Sequence, residues 1–419
     1  NNILETVGNT PAVKLHKVIP PDVQGTIYAK LEFFNPGGSS KDRIGINILI
    51  EAEKKGLIKP GGTVVEATSG NTGFGLALVA AIKGYHCVFV MPDKMSQEKI
   101  NALRAFGARV VICPTNVEPD DPRSYYSVSK RIGETTPGAF FVNQYDNLDN
   151  RETHVRTTGP EIYDQFDGKF DAFVAGMGTC GTITGVGMYL KKKAPHIKIV
   201  GVDPVGSILR SIYYTKKPCE AKSYKIEGIG EDIVPENLDF NILDDVMEVN
   251  DKESYIMTSR LLKEEGIFVG SSSGAAVCGA IKYLRANPGK TLVVLLPDGG
   301  SRYLSKAFDE NWLRTNGLLE ALNVGNIREL VHTIPKQDLF FFNAEDTIDF
   351  VVTKLREKGV SQAPVLFENS GGLQKSNIMG VIHERDLMNV IVDGKNAKPD
   401  PIAPLVQEVK KFFDINESI

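Results

Sequence analysis

The chain has 419 residues, of which 42% are hydrophobic and 24% charged, as is typical of a globular protein long enough for two domains. Its net charge of −4 and the lack of a basic stripe argue against nucleic acid as the main partner, and no apolar run approaches the ~18 residues of a membrane span. Five scattered cysteines without a C-x-x-C pair exclude a disulfide framework and a standard zinc site and are typical of the reducing cytoplasm. The histidines form no ligand pattern, so no metal is expected.

The first distinctive segment is residues 35–43, which read Asn-Pro-Gly-Gly-Ser-Ser-Lys-Asp-Arg. The proline and glycines predict a loop, either serine is a typical helix N-cap, and apolar residues then recur at helical spacing as far as Ala52. Lys41 therefore falls in the first turn of a helix, where the helix dipole disfavours a cation by about 1 kcal/mol or less. Two interpretations stay open here: a solvated lysine beside Asp42, or a lysine that forms a Schiff base and avoids the charge.

Further along the chain, short β-branched runs alternate with amphipathic segments up to about residue 320. The predicted strands are 63–66, 87–90, 110–113, 172–175, 198–202 and 291–296, and the predicted helices among them are 73–83, 97–106 and 183–193. This alternation predicts an α/β fold with parallel sheets. Ligands of such sheets bind beyond the carboxyl ends of the strands, in the loops that lead into helices.

Three loops rich in Gly, Ser and Thr lie at predicted strand ends. Residues 66–73 offer backbone N–H groups and hydroxyls suited to a carboxylate anion, and Asn71 adds an amide that can donate to a ring hydroxyl. Residues 176–182 contain glycines that permit close approach of a phosphate. Residues 270–274, between a predicted strand at 267–269 and a helix predicted from Ala275, place serines that can meet a heteroaromatic nitrogen. Each loop by itself can also be an ordinary turn or helix cap.

The second of these loops also matches the G-x-G-x-x-G fingerprint, with Asp203 about twenty residues further on, at the end of the next strand. An NAD-dependent dehydrogenase is therefore an alternative, although it leaves Lys41 and Ser272 without a role. Together, the lysine and the three loops indicate pyridoxal 5'-phosphate, which requires a Schiff-base lysine, a phosphate cradle and a partner for its ring nitrogen.

After Trp312 the pattern changes to a small α+β module. It is predicted to contain a strand at 327–331, a helix at 346–358, strands at 363–367 and 378–381, and a helix that opens at 385–388. The predicted division is a catalytic domain at 1–322 and a second domain at 323–419. A new helix pattern begins at Leu405, so if the module is a repeat of two halves, the second half is expected to be mostly missing from this chain.

Several motifs resemble the fold-type II pyridoxal-phosphate enzymes that perform β-replacement, whose fold is that of the tryptophan synthase β subunit. They are Ser-Ser-Lys-Asp-Arg at 39–43, Thr-Ser-Gly-Asn-Thr-Gly at 68–73, the loop at 178–182 and Gly-Ile-Gly at 228–230. Residues 143–147 and 154–162 narrow the resemblance to the cystathionine β-synthase family, and it covers nearly all of residues 3–320 in collinear order. Residues 361–365 and 380–388 resemble one motif of the paired regulatory CBS module attached to many members.

The resemblance implies a role for each matching residue. Lys41 would hold pyridoxal phosphate and then act as the base at the substrate Cα, Asn71 would bond the ring hydroxyl, and Ser272 the ring nitrogen. Tyr145 is expected to line the reacting face as a second catalytic residue. The phosphate cradle would consist of Gly178, Thr179, Cys180, Gly181 and Thr182. The substrate-binding residues would be Thr68, Ser69, Thr72, Gln144, Gly228 and Glu231.

Two positions depart from the family pattern. Cys180 stands where relatives usually carry glycine, so its backbone must accommodate a Cβ, which is expected to tighten the loop or to add a redox-sensitive thiol. Glu231 stands where animal and yeast members have tyrosine; it is expected either to meet the amino group of homocysteine or to be a solvated carboxylate. No haem is expected, because the haem-binding extension of the animal enzymes has no counterpart here.

The implied activity is that of a lyase of transsulfuration, which condenses L-serine with L-homocysteine to L-cystathionine and water and can release hydrogen sulfide from cysteine. The alternative within the same chemistry is a cysteine synthase that uses O-acetylserine and sulfide. The expected partners are small amino acids and further copies of the chain, in a homodimer or higher oligomer in the cytoplasm. The C-terminal module is expected to respond weakly or not at all to adenosylmethionine.

Overall fold

The computed structural model describes residues 2–93, 95–118, 120–217, 219–319, 340–367, 378–387 and 401–407. The chain separates into two compact units, Asn1–Ala321 and Leu322–Ile419. In the part of the chain described, no helix is long and apolar enough to cross a membrane. All five cysteines are free thiols, in agreement with the prediction that excluded disulfides.

The described residues of the first unit form two β-sheets. Its strands are β1 (Ala12–Lys14), β2 (Gly25–Leu31), β3 (Thr63–Ala67), β4 (His86–Pro92), β5 (Arg109–Cys113), β6 (Ala139–Phe141), β7 (Ala172–Gly176), β8 (Lys198–Pro204), β9 (Asp245–Val249) and β10 (Lys290–Leu296). The larger sheet has the order β1-β2-β10-β7-β8-β9 and the smaller one β5-β4-β3-β6. Neighbouring strands run parallel, except that β1 pairs antiparallel with β2 at one edge.

Helices connect most of these strands. They are α1 (Lys41–Lys54), α2 (Asn71–Lys83), α3 (Gln97–Ala105), α4 (Tyr125–Thr135), α5 (Asp149–Arg156), α6 (Thr158–Phe166), α7 (Gly181–Lys193), α8 (Leu209–Thr215), α9 (Asp251–Glu265), α10 (Ser271–Ala286) and α11 (Glu310–Thr315). The predicted parallel α/β class is confirmed, and each of the six predicted strands at 63–66 to 291–296 is present. The real strands extend up to two residues beyond the predicted ones, since backbone pairing continues past the apolar run.

One predicted strand is wrong. Residues 267–269 do not form a strand, since only Val269 makes an isolated antiparallel bridge, with Gly299. Helix α9 ends at Gly266, whose φ of +72° reverses the chain, and α10 begins at Ser271 rather than at Ala275. The apolar residues of this connection are buried side chains between two helices, so apolar content alone did not distinguish a strand from a buried turn.

Both faces of the larger sheet are buried. Along β7, Ala172 and Val174 pack into one hydrophobic cluster and Phe173 and Ala175 into another, on the opposite face. This alternation is the period of two expected of a strand covered by helices on both sides. The smaller sheet packs mainly against α1, α2 and α3 in a third cluster.

The second unit has its own core. A strand β11 (Phe342–Asn343) pairs parallel with β12 (Gln362–Leu366), which pairs antiparallel with β13 (Ile378–His383), and α12 (Ile348–Lys358) packs against this sheet. Helix α12 and the strands β12 and β13 confirm the predicted elements, and residues 384–387 begin the predicted following helix. The strand predicted at 327–331 lies outside the described residues, as does most of the helix predicted from Leu405.

Candidate active site

Lys41 is the first residue of α1, as predicted. Its position is set by a close crossing of α1 and α2, where Gly45 lies against Gly75: a Cβ on Gly45 would lie 2.5 Å from the Gly75 backbone, and a Cβ on Gly75 would collide with the Lys41 carbonyl. The predicted serine cap is partly confirmed, because Ser39 Oγ accepts the Lys41 backbone N–H at 3.3 Å. Lys41 shares a cavity with Ala175 and Leu295, at the carboxyl ends of β7 and β10 in the larger sheet.

The surroundings of Lys41 favour the neutral amine. Burial lowers the pKa of Lys41 below its usual value of 10.5, and the carboxylates of Asp298 and Glu231 oppose this in part. Among the described residues, none forms a hydrogen bond or an ion pair with its Nζ. A buried, unpaired amine at a helix N-terminus is a nucleophile at a pH where an ordinary lysine is a cation.

The phosphate-binding loop predicted at 178–182 lies directly opposite. Gly178 and Gly181 have no room for a side chain: a Cβ on Gly178 would lie 2.6 Å from the Gly228 carbonyl oxygen, and one on Gly181 would collide with the Asn150 side chain. Helix α7 begins at Gly181, so its free backbone N–H groups point into this loop. The loop can therefore hold an anion close to its backbone.

Lys41 and the loop at 178–182 line the same cavity. Its lining includes six of the predicted site residues: Lys41, Gly178, Thr179, Cys180, Thr182 and Gly228. The remaining predicted residues belong to the flanking loops and strand ends and do not line this cavity.

Cys180 has a left-handed backbone with a φ of 61°, a conformation that glycine adopts more readily than residues with a side chain. Its thiol donates to the Gly178 carbonyl at 3.0 Å across the turn. Burial, with the nearby charge of Glu231, raises the pKa of the Cys180 thiol well above 9.0. The side chain thus braces the loop, and its buried, protonated thiol is a poor redox nucleophile.

The loop between β3 and α2 is tied down by its own hydroxyls. Thr68 Oγ1 accepts the backbone N–H groups of Gly70 at 2.9 Å and of Gly73 at 3.3 Å. Thr72 Oγ1 donates to Gln144 Oε1 at 2.6 Å, and Gln144 Nε2 donates to the Ala67 carbonyl at 2.9 Å. These bonds fix the backbone of the loop around half-buried Ser69. A preformed binding site for a carboxylate requires such a fixed loop.

Asn71 is the first residue of α2, and Ser272 is the second residue of α10. Asn71 Nδ2 donates to Asp298 Oδ2 at 2.7 Å. Ser272 is 3% exposed in the first turn of α10. Its hydroxyl sits at a helix N-terminus, where a neutral donor and acceptor is compatible with the dipole.

Glu231 lies close enough to Tyr145 to act on it electrostatically. The charge of Glu231 acts on Lys41, Cys180 and Tyr145. Burial raises the pKa of the Tyr145 phenol well above 10.0, and Glu231 adds to this rise. The Tyr145 hydroxyl lies 3.4 Å from that of Tyr125. The same carboxylate acts on Tyr125 and Tyr126, so Glu231 is the acidic group of this cluster of phenols.

The structure reveals supporting residues that the sequence interpretation missed. Asn150 Nδ2 bridges the Gln144 carbonyl at 2.8 Å and Thr179 Oγ1 at 3.1 Å. His154 Nε2 lies 3.1 Å from Thr182 Oγ1. Burial, followed by the charge of Arg43, lowers the pKa of His154 to about 3, so the ring is neutral. The spacing of Asn150 and His154, four residues apart, was the available signal, because it places both on one helix face.

Asp298 was also missed, although it follows the predicted strand at 291–296 by two residues. The rule that ligands bind at carboxyl ends of strands therefore pointed to it. In the described residues, no group of three His, Cys, Asp or Glu side chains is placed to hold a metal ion.

These features fit pyridoxal phosphate. The chain supplies an amine of lowered pKa at Lys41, a loop at 178–182 whose glycines lie too close to neighbouring segments for a side chain, and neutral polar groups at Asn71 and Ser272. A phosphate, an aldehyde and a substituted pyridine ring are the three groups that this set can bind.

Comparison with known proteins supports pyridoxal phosphate as the cofactor. Residues 3–298 match the family model of pyridoxal-phosphate dependent enzymes, and residues 327–393 match that of the CBS domain. Cystathionine beta-synthase of Mus musculus is 39% identical over all of this chain and 74% of its own length. A cysteine synthase of Staphylococcus aureus is 45% identical over 73% of this chain and 96% of its own length.

Among solved structures, an O-acetylserine dependent cystathionine beta-synthase from Helicobacter pylori superposes with a TM-score of 0.66 at 38% identity, over 73% of this chain and 97% of its own. These matches exclude the NAD-dependent dehydrogenase alternative. Asp203, the acidic residue of the dinucleotide fingerprint, accepts the backbone N–H of Arg210 at 2.8 Å. The chain belongs to the pyridoxal-phosphate dependent enzymes and, within them, to the cystathionine β-synthase family of β-replacement lyases of sulfur amino-acid metabolism.

Proposed function

We propose that the protein condenses L-serine with L-homocysteine to L-cystathionine and water. The observation that carries this proposal is the Glu231 carboxylate, whose charge acts on Lys41. Homocysteine brings an ammonium group to the site, which a carboxylate attracts, whereas sulfide brings none. The same carboxylate would repel the sulfide anion, so it favours an amino thiol as the second substrate.

The first half of the reaction rests on the inner residues. When bound, pyridoxal phosphate supplies an electron sink for the substrate Cα. Lys41 Nζ takes the Cα proton and returns one to the leaving β-oxygen. The loop at 68–72, with Gln144, orients the substrate carboxylate, and Ser272 meets the ring nitrogen with a neutral hydroxyl. A hydroxyl would not hold that nitrogen protonated, so less of the charge at Cα would pass into the ring and loss of the β-substituent would be favoured.

The test is product analysis on the purified holoenzyme. With serine and homocysteine we expect cystathionine by mass spectrometry. If the enzyme forms product only from O-acetylserine and sulfide, the proposal is wrong and the cysteine synthase alternative holds.

A variant sharpens this test. Glu231→Gln is expected to raise the KM for homocysteine by about tenfold or more, the equivalent of one lost charge-assisted contact, and to leave the rate with sulfide unchanged or higher. Asp232→Asn, on an exposed neighbour, is the matched control and is expected to change neither. Equal effects on both thiols would assign Glu231 to the fold rather than to substrate recognition.

A second candidate concerns the first substrate. The Helicobacter pylori relative is named as dependent on O-acetylserine, and an acetate leaving group needs less help from a proton donor than hydroxide does. Measuring kcat/KM for serine and for O-acetylserine with homocysteine held constant decides between them. A large preference for O-acetylserine would retain cystathionine as the product and change only the leaving group.

A further inference from the structure

Asp298 lies at the junction of three segments of the site. It is fully buried just beyond β10, and it forms an isolated antiparallel bridge with Ser39, two residues before Lys41. Its carbonyl accepts the Gly270 N–H at 3.2 Å, at the start of α10. The residue therefore connects the lysine loop to the serine helix through its backbone, and its side chain is free to serve a different partner.

That partner is Asn71. Asp298 Oδ2 accepts from Asn71 Nδ2 at 2.7 Å and from the Tyr303 hydroxyl at 2.5 Å. Asp298 Oδ1 is buried with no hydrogen-bond partner in the described part of the chain. A buried carboxylate with an unpaired oxygen is costly, so its retention calls for a role beyond folding.

The amide of Asn71 is held from both ends. Arg302 Nη1 donates to Asn71 Oδ1, and the same guanidinium donates through Nη2 to the Gly37 carbonyl and lies 4.1 Å from the centre of the Phe74 ring. A carboxylate only accepts and a guanidinium only donates. The two charges therefore permit one orientation of the amide and exclude the flipped one, which leaves one Nδ2 hydrogen for a further partner.

We propose that Asp298 is a positioning residue which, with Arg302, fixes Asn71 as a hydrogen-bond donor to the ring hydroxyl oxygen of bound pyridoxal phosphate. This rests on the assignment of Asn71 to that oxygen under the proposed function. A donor favours the ionised oxygen over the neutral hydroxyl. The orientation of one amide thus sets the ionisation of the cofactor ring, and Asp298 sets the orientation.

The test is the visible spectrum of the holoenzyme and cofactor retention, measured on Asp298→Asn. An asparagine can donate as well as accept, so Asn71 is released to flip. We expect the ratio of the ionised-ring band to the neutral-ring band to fall at least about threefold, and the cofactor dissociation constant to rise about tenfold, the scale of one charge-assisted hydrogen bond. Tyr303→Phe removes the other bond to the same carboxylate oxygen and is expected to leave the band ratio unchanged.

Two further variants keep the outcomes distinct. Arg302→Gln, which releases the other end of the amide, is expected to shift the ratio in the same direction and decides the matter if Asp298→Asn does not fold. An unchanged ratio in either folded variant, or an equal shift in Tyr303→Phe, overturns the role of Asp298. An unchanged ratio in Asn71→Ala would instead overturn the assignment of Asn71 itself.

Discussion

Two cations, Lys41 and Arg43, lie two residues apart at the start of α1 and have opposite surroundings. Arg43 Nε donates to Glu32 at 2.7 Å and its Nη1 to Glu161 at 2.6 Å. Burial alone would lower the pKa of Arg43, but these carboxylates outweigh it and raise the pKa above 12.5. Lys41 has no such partner among the described residues, and burial lowers its pKa.

The difference shows how one helix turn serves both structure and chemistry. The paired guanidinium stays charged and joins α1 to α6 and to the residues after β2, so it locates the turn. The unpaired amine sits on that located turn without a counterion, so it is free to react. Burying an amine without a hydrogen-bond partner lowers the stability of the fold. The same surroundings keep the amine reactive.

The largest effect should come from removing the unpaired member. Lys41→Ala is expected to lower the β-replacement rate by about a thousandfold or more, because under the proposed function one residue serves as cofactor anchor and as proton carrier. The visible band of the bound cofactor should be lost, and the unfolding free energy of the apoprotein should not fall, because no ion pair is broken. Steady-state rates, absorbance and urea denaturation measure these three outcomes.

Removing the paired member should do the reverse. Arg43→Ala is expected to destabilise the protein by about 3–5 kcal/mol, since it strands the buried Glu32 carboxylate and leaves half-buried Glu161 with Lys30 as its ion-pair partner. The protein that remains folded should still show the cofactor band. Lys54→Ala, on the exposed end of the same helix, is the matched control and should leave the urea midpoint nearly unchanged. A similar midpoint for both variants would show that the Arg43 cluster is not structural.

The comparison of paired with unpaired groups also applies to a buried carboxyl group, that of Glu66. Glu66, fully buried at the end of β3, has one oxygen without a partner in the described residues, and burial raises its pKa from 4.5 to about 8. The folded state therefore keeps a proton that the unfolded chain loses. The contribution of Glu66 to the unfolding free energy is complete below pH 4.5 and declines as the pH rises to about 8. Glu66→Gln should be more stable than the parent by about 1–3 kcal/mol at pH 8. Denaturation at pH 5 should show little difference, and a constant gap would contradict the pKa shift.

The smallest effect concerns the ionisation of Lys41. The neutral amine forms as pH rises through a pKa lowered from 10.5, so the rate of pyridoxal-phosphate capture by the apoprotein should rise with pH and level off below that value. Nα-acetyl-lysine, measured alongside, corrects for ionisation of the cofactor. Because the Asp298 carboxylate raises this pKa, Asp298→Asn should level off at a still lower pH. If capture by the apoprotein levels off at a pH no lower than that for Nα-acetyl-lysine, the site does not lower the pKa of Lys41.

Local sequence determined much of the architecture. The β-branched runs predicted six strands and the parallel α/β class, because burial on both faces leaves a continuous apolar run in each strand. The glycine-bounded loops before α2 and α7 were predicted for a related reason, since close backbone approach tolerates few residue types. The antiparallel edge strand β1 and the connection at 267–269 were not, because pairing depends on a distant partner rather than on composition.

The identity of the chemistry was also present in the chain, since Lys41 stands where a helix start disfavours a cation. Whether that lysine is charged was decided only by the tertiary structure. Burial in the folded protein lowers its pKa, and the carboxylates that oppose this shift, Asp298 and Glu231, lie far away in sequence. The carboxylates that pair with Arg43 come from just after β2 and from α6. Charge and hydrogen-bond partners act over a few ångströms of space whatever their separation along the chain, so the fold alone determines which cation is paired and which one is left to react.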